Sequence, residues 1–125
     1  MVEADLREVY LGDWEGGLFR IKATQSALEA LRARAQQDLG EIPSTETCAA
    51  LQSRVSNALW QLAARHPGQR IAAFVHGGVI GAALAVATGA QNFAINGSAN
   101  GAISRLVLTE GRIILRGFND CAHLG

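Results

Sequence analysis

Residues 71–89 read IAAFVHGGVIGAALAVATG, and this stretch decides the fold. Its first five residues form a short, continuous apolar run, which is typical of a strand buried on both faces of a parallel sheet. His76, Gly77 and Gly78 then form the turn into a helix predicted over 79–88, with a glycine at its end. The order of strand, glycine turn and helix predicts that His76 lies at the carboxyl end of a strand, where ligands bind in open α/β sheets.

The remaining elements complete an α/β pattern. Apolar residues at helical spacing predict two helices upstream, one after Thr24 on Ala27, Leu28, Leu31 and Ala35, and one capped by Ser44 and Thr45 on Leu51, Val55, Leu59 and Leu62. Downstream, ISRLVL and IILRGF predict a hairpin with the turn TEGR, and NDCAHLG predicts a short tail. We therefore expect one domain over 1–125, with a partly parallel sheet flanked by helices and a carboxy-terminal β-hairpin.

Composition favours chemistry on a small molecule. Lys plus Arg and Asp plus Glu both number 11, and no basic run indicates a nucleic-acid partner. The apolar segment is too short to span a membrane and the amino terminus does not resemble a leader, so we expect a cytoplasmic protein without membrane contact. Cys48 and Cys121 lie far apart with no metal-ligand spacing around them, which predicts reduced thiols and no metal site, with a disulfide between them as the alternative.

Two stretches carry candidate chemistry. The amides of Gly77 and Gly78 and the start of the helix favour an anion beside His76, and a phosphoryl group is the ligand that we expect there. The alternative is a core histidine whose nitrogens bond to backbone. Residues 6–17, LREVYLGDWEGG, hold Glu8 and two further carboxylates, and a carboxylic acid near a phosphate can protonate a leaving oxygen. The same composition also fits a surface loop.

The two stretches together resemble the histidine phosphatase superfamily, the phosphoglycerate mutase-like enzymes. The segments that carry the resemblance are LREVYLGDWEG, FVHGGVIGA, NGAISRLVL and NDCAHL, which run in the family's order from about Leu6 to Leu124. The resemblance implies phosphomonoester hydrolysis through a phosphohistidine, with no cofactor and no metal. Val9 stands where the mutases have a basic residue, so a phosphatase is preferred over a mutase.

The resemblance also assigns the site residues. It implies that Glu8 is the proton donor, that His76 is the second histidine of the phosphate pocket, and that the Gly77 amide and Asn100 contact or border the phosphate. Glu46 resembles the acidic residue that opens a lid-side helix. The expected ligand is a phosphorylated small molecule or phosphate. Nucleotide binding through the glycines of this turn is disfavoured, because their spacing does not fit a dinucleotide-binding turn.

One departure from the family concerns its nucleophile. The first family motif, a strand ending in Arg-His-Gly, does not occur in this sequence, and Arg65-His66 falls at a predicted helix end instead. We therefore expect an amino-terminally truncated domain that lacks the first strand and turns over very slowly alone, because covalent catalysis needs an attacking group. Its unpaired edge predicts a homodimer, with exchange of elements as one form. The alternative is a pseudoenzyme or interaction module that binds phosphate without turnover.

Overall fold

The computed structural model describes residues 1–16, 18–25, 44–91 and 94–125. The chain contains helices and strands, as expected. Three α-helices and two β-strands are formed by these residues: α1 Leu18–Thr24, α2 Cys48–Arg65, α3 Gly77–Thr88, β1 Ile103–Thr109 and β2 Arg112–Asp120. Short 3-10 turns cover Ala4–Leu6, Gly12–Trp14 and Ala122–Leu124. The helix predicted on Ala27 to Ala35 lies outside the described residues.

Helix α2 follows the predicted apolar spacing but is capped differently. The Thr47 hydroxyl accepts a hydrogen bond from the Ala50 amide at 3.1 Å, so Thr47 is the N-cap. The prediction that Ser44 and Thr45 cap the helix is wrong, because the Thr45 hydroxyl instead donates to the Tyr10 carbonyl at 2.8 Å. The start of α2 is thus tied to the amino-terminal segment.

Helix α3 confirms the helix predicted after His76, but it begins at Gly77 and not at position 79. Gly77 and Gly78 are therefore its first residues, and His76 to Gly78 are called the His76 turn below. His76 is its N-cap in an extended conformation, and Gly89 ends it with a φ of 72°. A left-handed residue at this position suits glycine, which has no Cβ to clash. Most of the helix surface is apolar, and its buried residues pack between α2 and the hairpin. The helix therefore forms the centre of the described structure and fixes where His76 lies.

The carboxy-terminal hairpin is also confirmed. β1 and β2 pair antiparallel, with Thr109 opposite Arg112. The two residues between them, Glu110 and Gly111, have φ values of 48° and 74°. A two-residue turn with positive φ at both positions matches the right-handed twist of the strands, which explains why this short sequence closes a hairpin.

The predicted strand over 71–75 is not formed. Residues 71–76 have no regular secondary structure, and none of the described residues supplies a backbone hydrogen bond to 71–75. Ile71 is 46% exposed and Phe74 is 99% exposed. The described sheet is accordingly a two-stranded antiparallel hairpin, and the expected parallel pairing does not occur within the described ranges. The physical reason is that an apolar run becomes a strand only when another strand lies beside it.

The core lies where α2, α3 and the first 3-10 turn meet. Its buried members are Leu6, Leu51, Val55, Ala58, Leu62, Val79, Ala82 and Ala83. Val75 and Leu106 pack against its border, which connects 71–75 and the hairpin to the same core. No helix in the described part of the chain is both long and apolar enough to cross a bilayer. Cys48 and Cys121 form no disulfide bond in the described part of the chain.

Candidate functional site

His76 is exposed at the start of α3. Its imidazole makes no hydrogen bond to the residues that the structure describes, and it provides no side-chain cap for the helix. A core histidine would be buried and bonded to backbone, so the alternative interpretation of His76 does not describe this structure. The Gly77 amide beside it likewise has no partner among the described residues. Both groups are open to a ligand.

Glu8 lies against the same helix start, although it is 70 positions away along the chain. Its Oε2 accepts a hydrogen bond from the Gly78 amide at 3.3 Å, and its Oε1 accepts one from the Val9 amide at 2.9 Å. The Gly78 amide is one of the helix N–H groups that lack a partner within the helix, and a carboxylate there also interacts favourably with the helix dipole. The structure therefore brings together the proposed proton donor and the His76 turn.

Position 78 has no room for a Cβ while the Glu8 carboxylate is in its place. A Cβ built there overlaps with Oε1 of Glu8 and comes within 3.3 Å of Cγ1 of Val9. A Cβ built at Gly77 meets nothing within 4 Å. The two glycines thus have different reasons to be present, and only Gly78 makes room for the Glu8 carboxylate.

An arginine and a glutamate hold the segment that carries Glu8. Arg54 of α2 donates from Nε and Nη2 to the two carboxylate oxygens of Glu46, both at 2.8 Å. Its Nη1 donates to the backbone carbonyls of Asp5 at 2.7 Å and Arg7 at 2.9 Å. The side chains of Arg54 and Glu46 are only 10% and 12% exposed. This fork-like pairing is the stronger form of an ion pair, because two charge-assisted bonds share one geometry.

The pairing shifts the ionisation of both partners. Hydrogen bonds from Arg54 lower the pKa of Glu46 below its usual value, against the opposing effect of burial, and the Tyr10 amide adds to the lowering. The hydrogen bonds to Glu46 raise the pKa of Arg54, with the charges of Asp5 and Glu8 contributing less. Glu46 was expected to open a lid-side helix, but in this structure it lies before the N-cap of α2 and is bonded to Arg54.

Acid is expected to weaken the fold through Glu46. Because its folded-state pKa is lowered, its contribution to stability is present above the ordinary glutamate pKa of about 4.3 and is lost as pH falls through the folded value. Urea unfolding at neutral pH and near pH 3 should show a smaller drop in unfolding free energy for Glu46→Gln than for the wild type. Glu110→Gln, in the exposed hairpin turn, is the control and should keep the wild-type drop. Equal drops in all three proteins would contradict this expectation.

The other candidate residues lie elsewhere or have structural roles. Asn100 is exposed in the turn before β1, and among the described residues it makes no hydrogen bond to Glu8 or to the His76 turn. Its place at the phosphate pocket stays a prediction. His66 follows the last residue of α2 as its C-cap, as expected of a helix end. His123 donates from Nε2 to the Gly101 carbonyl at 2.9 Å, so the tail is fastened to the loop before β1.

Sequence reasoning missed Arg54. A usable signal was its position: Arg54 lies three residues after Leu51 and four before Ala58, and both of these are buried. An arginine at the border of an apolar stripe needs a partner for its charge, and here the partners are Glu46 and two backbone carbonyls. Within the described residues, no group of three or more His, Cys, Asp or Glu side chains is arranged to hold a metal ion.

Comparison with known proteins identifies the family of this chain. Neither the curated proteins nor the solved structures contain a match to this chain. The family model of the histidine phosphatase superfamily (branch 1) matches residues 1–121. This range includes the Glu8 segment, the His76 turn and the hairpin, which are the parts that the sequence resemblance used. Since the match covers nearly all of the 125 residues, the chain belongs to the histidine phosphatase superfamily.

Proposed function

We propose that this chain binds the phosphoryl group of a phosphomonoester at the His76 turn and presents Glu8 as the proton donor for the leaving oxygen. The observation that carries the proposal is the exposed imidazole of His76, which has no hydrogen-bond partner among the described residues. It lies at a helix start where Glu8 is already bonded to the Gly78 amide. The imidazole, the Gly77 amide and the helix dipole all favour a phosphate dianion. A carboxyl group next to them has the position that general acid catalysis requires.

The roles follow from what each group can do. The imidazole of His76 and the Gly77 amide donate hydrogen bonds to phosphoryl oxygens and stabilise the charge that develops there. Glu8, once protonated, gives its proton to the departing alkoxide. The attacking group of the family, the histidine of Arg-His-Gly, does not occur in this sequence, and His66 and His123 have the structural places described above. We therefore propose that these 125 residues by themselves bind phosphate and hydrolyse phosphomonoesters very slowly, by direct attack of water on phosphorus as the bond to the leaving oxygen breaks.

Removing His76 is expected to weaken phosphate binding. Titration of ¹⁵N-labelled protein with inorganic phosphate should shift the amides of the His76 turn, and His76→Ala should weaken the affinity at least about tenfold, the usual effect of losing a hydrogen bond to a charged group. His66→Ala is the matched control, because it removes a histidine at the end of α2. It should bind phosphate like the wild type. Equal affinities of wild type and His76→Ala would rule out the proposed site.

A non-catalytic phosphate-binding function is the second candidate. The lack of an Arg-His-Gly triplet in the sequence favours it. Hydrolysis of p-nitrophenyl phosphate separates the two candidates. A rate that depends on His76 and Glu8 supports the enzyme, and phosphate binding without measurable hydrolysis supports the binding module.

We also propose that 71–75 pairs with the same segment of a second copy. The segment is apolar, its first four residues are exposed, and its backbone makes no hydrogen bond to the described residues. An exposed segment of this kind is the usual template for strand addition. A twofold antiparallel pairing centred on Ala73 would place Ile71 opposite Val75 and Ala72 opposite Phe74, so that all five residues gain a partner. In this antiparallel pairing, Arg70 of the second copy would lie opposite His76, so the two candidate sites would lie at opposite ends of the paired segment.

A further inference from the structure

We infer that Arg54 and Glu46 are positioning residues that hold the Glu8 carboxylate over the Gly78 amide. The inference rests on the proposed function for its chemical meaning, because it explains how the proposed proton donor keeps its place. Neither residue touches the His76 turn. Arg54 binds the backbone before Glu8, and Glu46 binds the backbone after it.

The contacts bracket Glu8 along the chain. Before it, Arg54 binds the carbonyl of Arg7. After it, Tyr10 is held at both its backbone groups: its amide donates to Glu46 Oε2 at 3.2 Å and its carbonyl accepts from the Glu46 amide at 2.8 Å. A residue whose neighbours are fixed on both sides has little freedom to shift its Cα, so its carboxylate stays near one point.

Arg54, which makes the contacts before Glu8, lies on a helix that packs against the helix of Gly78. Arg54 lies on α2 beside the buried Val55, and Val55 shares the core with Val79 of α3. Gly78 is the residue before Val79. Because packed helices move as one body, a contact that fixes the Glu8 segment to α2 also fixes it relative to the start of α3. The distance between Glu8 and the Gly78 amide is therefore set by Arg54, although Arg54 does not touch Gly78.

A second ion pair on α2, between Arg65 and Glu3, is of the ordinary exposed kind. Arg65 binds Glu3 through one contact at 2.7 Å, and their side chains are 50% and 20% exposed. This pair also joins α2 to the amino-terminal segment, but it lies five positions before Glu8 and holds no backbone carbonyl next to it. Exposed pairs of this kind contribute little to stability, so Arg65 provides a matched control for Arg54.

The test measures the Gly78 amide directly. Amide hydrogen exchange is followed by NMR in the wild type, Arg54→Gln, Arg54→Lys, Glu46→Gln and Arg65→Gln. The quantity compared is the ratio of the exchange rate of the Gly78 amide to that of the core amides of Val55 and Ala58. In Arg54→Gln this ratio is expected to rise about tenfold, which corresponds to losing a charge-assisted hydrogen bond. An amide at the start of a helix exchanges through local opening, whereas core amides exchange through global unfolding. A loss of global stability therefore speeds the core amides more than the Gly78 amide, and it cannot by itself raise the ratio.

The conservative variants keep the test decisive if Arg54→Gln folds poorly. Lysine keeps the charge but cannot span the carboxylate and the two carbonyls at once, so Arg54→Lys should give a ratio between the wild type and Arg54→Gln. Glu46→Gln should also raise the ratio, and Arg65→Gln should leave it at the wild-type value. A wild-type ratio in Arg54→Lys and Glu46→Gln would overturn the inference.

Phosphate titration of the same samples separates this inference from the proposed function. If the wild type binds inorganic phosphate through His76 and the ratio does not change in the Arg54 variants, the positioning role is wrong and the proposed function stands. If the ratio changes as expected and the wild type does not bind phosphate, the proposed function is wrong and Arg54 still holds the Glu8 segment in place.

Discussion

Gly78→Ala is expected to expel the Glu8 carboxylate from its place without unfolding the protein. The added Cβ overlaps with Oε1 of Glu8, which is the far end of a flexible side chain and can rotate away. The amide of residue 78 then loses its partner. Alanine favours the helix over glycine, and this gain offsets part of the lost bond, so we expect the unfolding free energy to change by less than about 1 kcal/mol.

The effect on chemistry is expected to be much larger than the effect on stability. A displaced general acid no longer protonates the leaving oxygen, and such catalysis is typically worth about 10²- to 10⁴-fold. Hydrolysis of an alkyl phosphate, whose leaving group needs the proton, should fall by this factor from the wild-type rate. The amide of residue 78 should also exchange with solvent about tenfold faster, since its bond to a carboxylate is lost, and this readout does not require turnover.

Gly77→Ala is the matched control for Gly78→Ala. The two substitutions are chemically identical and adjacent, but a Cβ at position 77 enters open space. Gly77→Ala should therefore keep the wild-type exchange at Gly78. If both variants retained the protection of the Gly78 amide, or if both lost it equally, Gly78 would have no special role in seating Glu8.

The elements that sequence reasoning predicted correctly are those with local causes. The hairpin depends on Glu110 and Gly111, two adjacent residues that adopt positive φ. The end of α3 depends on Gly89 alone, and its start depends on the residues next to His76. Such signals lie within a few positions of the structure that they determine, so a single sequence contains all the information needed.

The incorrect and missed features depend on distant partners. Residues 71–75 have the composition of a buried strand, but pairing requires a neighbouring strand, and none of the described residues provides one. Glu8 was connected to His76 only through the family resemblance, because no local pattern indicates a contact across 70 positions. Arg54 was missed since two of its acceptors are backbone carbonyls, which every residue has and which therefore leave no mark in the sequence.

Phe74→Lys is expected to convert the proposed dimer into a monomer. Phe74 is 99% exposed, so its replacement removes no packing from the fold of one copy. In the proposed pairing of 71–75, the same side chain is covered by the second copy, and a lysine there would bring two positive charges into an apolar interface. The dimer dissociation constant should rise at least about thirtyfold, the effect of losing an interface hot spot.

Sedimentation velocity over a range of concentrations measures this change. Val107→Lys is the control, because Val107 is 41% exposed on β1 and lies outside the proposed pairing. It should leave the dissociation constant of the wild type unchanged, and circular dichroism should show that both variants keep the helices. A wild type that stays monomeric at high concentration, or a Phe74→Lys protein that dimerises as tightly as the wild type, would refute pairing through 71–75.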